Sequence, residues 1–103
     1  MAQRIVVFWR DIPAQVIIRR GRTTEKRELP ERFIQAVDRA AMRAGARDSD
    51  AYLAAWRRAD PVPCGDDLAA EADAAVAELL ATYDETRLAA LVRAGGHETA
   101  KDG

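Results

Sequence analysis

Apolar and polar positions follow two different periods along this chain, and the change of period falls at Pro30. Before it, Arg4-Ile-Val-Val-Phe-Trp9 and Gln15-Val-Ile-Ile-Arg-Arg20 are short runs rich in β-branched and aromatic residues, separated by a segment containing Asp11 and Pro13. This pattern predicts two strands joined by a tight connection. Alternation assigns Ile5, Val7 and Trp9 to one face of the first strand, and Val6 and Phe8 to the other. On the second strand, Val16 and Ile18 oppose Ile17. Both faces are partly apolar, so either helices cover both of them, or Val6, Phe8 and Ile17 wait for another chain. Gly21-Arg22 can turn the chain, and the mostly polar residues 23–29 are a candidate third strand.

Beyond Pro30 the period is helical. Pro30 suits a first helical turn, and Glu31 sits well beside the positive end of the helix dipole. Phe33, Val37, Ala40, Ala41 and Ala44 form an apolar stripe that Ile34 and Met42 widen, with Gly45 as its stop. Asp48 or Ser49 is expected to cap a second, shorter helix with a stripe of Tyr52, Leu53, Trp56 and Ala59, ended by Pro61 and Pro63. Residues 60–65 read as a linker or sharp corner. Asp66 or Asp67 starts a third helix with Leu68, Ala72, Ala75, Val76, Leu79 and Tyr83 as its stripe. Asp84 caps a further segment carrying Leu88, Leu91 and Val92, closed by Gly95-Gly96; a single kinked helix is the alternative. Trp9, Phe33, Tyr52 and Trp56 are expected in the core by size and spacing. The predicted fold class is α+β: an N-terminal antiparallel β-hairpin, with the candidate third strand, packed against three or four α-helices. One domain over residues 1–96 is expected, with a flexible tail over 97–103.

Composition narrows the function classes. The chain has 103 residues, enough for one core without staples, and its lone cysteine, Cys64, excludes an internal disulfide and fits a reducing compartment. No run approaches the roughly 20 apolar residues that span a bilayer. No signal-peptide pattern follows Met1, so a cytoplasmic protein without a membrane partner is expected. The net charge of −1 hides an asymmetry: 13 Arg and Lys against 7 Asp and Glu through Ala59, then 3 against 10 from Asp60 onward. Such a split can mark an anionic partner for the basic half, or two halves that face each other within the domain.

Candidate chemistry is sparse. His97 and Cys64 cannot supply a zinc set, and Asp66, Asp67, Glu71 and Asp73 are explained by capping and the helix dipole. Neither a catalytic residue, a metal ligand nor a cofactor is predicted. Cys64 lies between Pro63 and Gly65 near a helix N-terminus, a setting that can lower a thiol pKa, but no core histidine stands by as its base. Arg10, Arg19, Arg20, Arg22, Lys26 and Arg27 cluster near Phe8 and Trp9, as in sheets that bind nucleic acid. Against that, Phe8 and Trp9 point in opposite directions, and Glu25, Glu28 and Glu31 dilute the patch.

The segments Trp9-Arg-Asp-Ile-Pro-Ala-Gln-Val16, Leu29-Pro-Glu-Arg-Phe33, Ala36-Val-Asp-Arg-Ala-Ala-Met42 and Asp50-Ala-Tyr-Leu53 with Trp56 follow one another in an order that resembles the small bacterial "virulence factor" domain family. Members stand alone in many proteobacteria, and the sequence is also similar to a module of a larger staphylococcal virulence protein. The resemblance covers about the first half, to Trp56. The family is named for a phenotype, so it brings no catalytic or ligand residue to these positions. Its stand-alone members often occur beside one-carbon genes, including folate- and corrinoid-dependent methyl transfer, so the resemblance implies an accessory to such enzymes.

The leading expectation is therefore a non-enzymatic accessory or protein-interaction module. Its candidate surface is Val6, Phe8, Arg10, Asp11, Ile17, Arg19, Arg20 and Arg22, with strand addition to a sheet edge as one mode. The alternatives are an anionic ligand or nucleic acid held by the same arginines, a small enzyme using Cys64, and self-association. For Asp11 and Pro13 the competing reading is that they only shape the connection.

Overall fold

The two apolar runs form β1 (Ala2–Trp9) and β2 (Ile12–Arg20), and the polar segment after them completes a meander as β3 (Thr23–Glu28). A computed structural model describes residues 1–46 and 50–98. The fold is α+β, with five antiparallel strands among the described residues rather than two or three. The other edge of β1 is shared: β4 (Trp56–Arg58) pairs with Val7–Trp9, and β5 (Val62–Cys64) pairs with Ala2–Arg4. Val7 pairs with Gln15 and Phe8 with Pro13, so Ala14 is an extra residue that bulges β2. Pro13, which has no N–H to donate, sits beside that irregularity.

The helices among the described residues are α1 (Glu31–Arg43), α2 (Asp50–Ala54), α3 (Leu68–Thr82) and α4 (Glu85–Arg93). The Asp67 carboxylate accepts from the Ala70 N–H at 3.2 Å, and the Asp84 carboxylate from the Arg87 N–H at 2.9 Å, each satisfying an otherwise unpaired donor of a first turn. The Asp84 cap makes α3 and α4 separate helices. Pro30 precedes α1 instead of opening it. The expected cap at Asp48 or Ser49 lies outside the described residues.

Two clusters make the core. In one, Ala2, Val16 and Ile18 of the sheet meet Ala72 and Ala75 of α3, where small side chains let helix and sheet approach closely. In the other, Trp9 and Ile12 meet Phe33, Val37 and Ala40 of α1, and Leu88 and Leu91 of α4. Trp9 is fully buried; its indole N–H donates to the Tyr52 carbonyl at 2.9 Å, and its ring lies 5.7 Å from that of Tyr52. Tyr52 meets Trp56 edge-on at 6.1 Å, and both are partly buried against the same cluster.

Four expectations are corrected. The second helix ends at Ala54, and Trp56–Arg58 is strand. The uncovered groups of β1 decide this: the Ala59 N–H donates to the Val6 carbonyl at 2.9 Å, and the Ala55 carbonyl accepts from the Arg10 N–H at 3.0 Å. Leu53, expected on the buried stripe, is 68% exposed. Residues 62–64 are an edge strand, not a linker, and Pro63 is tolerated there because its missing N–H is asked for on at most one side. Ile34 and Met42 lie outside the buried stripe of α1, at 43% and 58% exposure.

Replacing Trp9 with alanine should lower unfolding free energy by about 3–5 kcal/mol in urea titration, the usual cost of emptying a large aromatic site. Gly96→Ala should be comparably harmful although it adds one methyl. Gly96 has φ 96° and its new Cβ would lie 2.7 Å from the Trp9 Cζ3 atom, so both backbone and packing oppose it. A near-neutral Gly96→Ala would refute the close approach.

Candidate functional site

Strand register divides the eight expected surface residues into separate groups. Arg19 pairs with Gln3 and Arg20 with Thr23, whereas Trp9 pairs with Ile12 at the far end of β1. The six residue steps from Gln3 to Trp9 put these ends about 20 Å apart. Val6 pairs with Val16 on the face that α3 covers, and Ile17 pairs with Ile5 on the opposite face. Ile17 is only 4% exposed, so its side chain contributes no surface and the continuous apolar patch expected from alternation does not form. Phe8 is half-buried, with the Arg57 guanidinium 4.6 Å from its ring centre.

At the Trp9 end, Arg10 and Asp11 form the connection between β1 and β2, and both are tied into the fold. Arg10 holds φ 53°, a left-handed conformation that costs a non-glycine residue about 1–2 kcal/mol. Its guanidinium lies 4.8 Å from the Trp9 ring centre and donates to the Gly95 carbonyl at 2.7 Å. The Asp11 N–H donates to the Gly96 carbonyl at 2.8 Å. The Asp11 carboxylate accepts from the Glu98 N–H at 2.6 Å and from Arg57 at 3.2 Å. Arg57 also donates to the Arg10 carbonyl at 3.0 Å, and Arg87 pairs with Glu98 at 2.8 Å. This is a clasp joining the hairpin connection, β4 and the segment after α4. A shallow cleft of about 430 Å³ beside it is lined by Arg10, Asp11, Ala54, Arg57 and His97.

At the other end, Gly21 at φ 58° and Arg22 make the two-residue loop between β2 and β3. Two arginines of the basic half are paired with acids of the acidic half. Arg4 pairs with Glu78 at 3.4 Å, and Arg27 pairs with Asp73 at 3.1 Å and with Glu25. Among the described residues, no ion pair reaches Arg19, Arg20 or Arg22.

Cys64 is partly buried opposite Ala2. Burial first, then the negative charge of Glu71, pushes its thiol up from the ordinary value, the reverse of what an activated nucleophile needs. Burial likewise raises the Tyr83 phenol, against the opposing effect of Arg87, whose guanidinium lies 4.3 Å from the ring centre. Among the described residues, no three His, Cys, Asp or Glu side chains gather as a metal set.

Sequence reasoning missed one surface. Arg32, Arg39 and Arg43 line a groove between α1 and α4, beside Met42 and Val92. The signal was present as arginines at i, i+7 and i+11, which share one side of a helix.

The virulence factor family model matches residues 7–92, and the chain belongs to that family. The match runs well past Trp56, taking in the clasp residues Trp9, Arg10 and Asp11 and both helices of the groove. No curated protein and no solved structure matches the chain.

Arg10→Ala should cost about 1–3 kcal/mol, since it removes a charge-assisted hydrogen bond and a ring contact while keeping the unfavourable φ. Arg10→Gly should be less harmful by roughly 1 kcal/mol, because glycine relieves the left-handed strain. Paired urea titrations give the order, and equal losses would contradict it. Alkylation of Cys64 by iodoacetamide should titrate above the pH at which a free cysteine does; a midpoint below it would return weight to a thiol enzyme.

Proposed function

We propose that this member of the virulence factor family is a non-enzymatic accessory module of the cytoplasm that binds an acidic protein partner through the β2–β3 hairpin tip. One observation carries the reading. Among the described residues, internal ion pairs engage Arg4, Arg27, Arg57 and Arg87 but not Arg19, Arg20 and Arg22, which lie at the end of two paired strands and in the loop that joins them. Cations on a preorganised hairpin lose little freedom on binding, and they speed encounter with a negative surface. Arg10 and Asp11 serve the fold, so recognition passes to the tip. Strand addition at the outer edge of β3 is discouraged by Glu25, Lys26 and Glu28 along it. The partner class, an enzyme of one-carbon or methyl transfer, rests on the family resemblance.

The test is capture of partners from native cytosol by the tagged full chain, with and without nuclease, followed by rebinding of the purified partner. The expected partner survives nuclease, and the triple variant Arg19→Glu, Arg20→Glu, Arg22→Glu binds it at least tenfold more weakly while melting like the parent. Loss of the captured material on nuclease treatment would favour nucleic-acid binding by the same arginines. Unchanged affinity of the triple variant would remove the hairpin tip from the interface.

A further inference from the structure

The outer seam between α1 and α4 has a built shape. Along α1 its wall is Arg32, Arg39, Met42 and Arg43; along α4 it is Ala89 and Val92. Two depressions of about 180 and 370 Å³ meet at Arg39 and Val92, so they form one groove. From Arg32 to Arg43 it runs eleven residues, about 16 Å of helix. Ala89 contributes only a methyl to the wall, and Met42 and Val92 add aliphatic surface to it.

Charge and aliphatic surface together select the occupant. Three arginines line the groove against one acid, Glu85, among the described residues. Arg43 also donates to the Arg93 carbonyl at 3.3 Å, which holds its guanidinium near the end of α4. A wall both aliphatic and cationic complements an amphipathic helix that carries acids beside its apolar stripe. A nucleic-acid strand would call for stacking surfaces, and among the described residues no aromatic lines this groove. The chain's own acidic helix, α3, has Asp73 and Glu78 engaged by Arg27 and Arg4, which leaves it poorly suited to cross into a second copy.

We infer that the α1–α4 groove is a second docking site, receiving an acidic amphipathic helix of about three turns from a partner protein. It lies on elements other than the hairpin tip, so the two surfaces fail or stand separately.

The experiment selects from a random 16-residue peptide library displayed on phage, using the folded full chain as bait. Enriched sequences should repeat Asp or Glu at helical spacing beside Leu, Ile or Met. A synthetic peptide of the enriched sequence should lose at least tenfold in affinity to Ala89→Arg, which fills the groove at that point, and to the double variant Arg39→Glu, Arg43→Glu. All three positions are exposed, so the variants should fold, and circular dichroism checks this. The triple hairpin-tip variant should bind the peptide within twofold of the parent. No enrichment, enrichment without acids, or peptides lost only to the hairpin-tip variant would overturn the inference, the last while leaving the proposed function intact. Self-association abolished by Ala89→Arg would make a second copy the occupant and would overturn it as well.

Discussion

Burial of Trp9 is the constraint on which the rest of this fold depends. One indole meets α1 and α4 across the core, hydrogen-bonds the carbonyl at Tyr52, lies under Arg10 and presses against Gly96. Segments nearly ninety residues apart in sequence are thereby brought to one ring. The strained Arg10 connection persists because what it reaches, Trp9 below and the Gly95 carbonyl beyond, compensates the unfavourable backbone. Gly96 is equally bound to this role, because the ring occupies the space a side chain would need.

This arrangement divides the charged residues by task. Arg10, Asp11 and Arg57 are spent on the clasp, and Arg4 and Arg27 neutralise acids of α3. The contrast between basic and acidic halves is therefore partly an internal pairing of sheet with helix. Among the described residues, the cations outside those pairs include Arg19, Arg20 and Arg22 at the hairpin tip and Arg32 and Arg39 in the groove.

Local pattern carried much of this structure. Alternation at residues 4–9 and 15–20, the acids capping α3 and α4, and the glycines after α4 each act through neighbours within a few residues, so they are legible without tertiary information. The core roles of Trp9 and Phe33 were legible for the same reason. Residues 56–58 were not: a helical spacing of Tyr52, Leu53 and Trp56 is overridden by unpaired backbone groups on the outer edge of β1. Only the partner strand shows that demand.

The candidate site divides in the same way. By itself the sequence determined which residues are cationic, which are apolar, and that the chain is α+β, because charge, side-chain volume and short-range period are properties of the residues. Tertiary structure decided that Arg10 and Arg19 lie at opposite ends of the sheet, that Ile17 is covered, and that arginines of α1 face a hollow beside Ala89. Register and helix packing set those distances, and both are fixed by contacts between residues that the sequence keeps far apart.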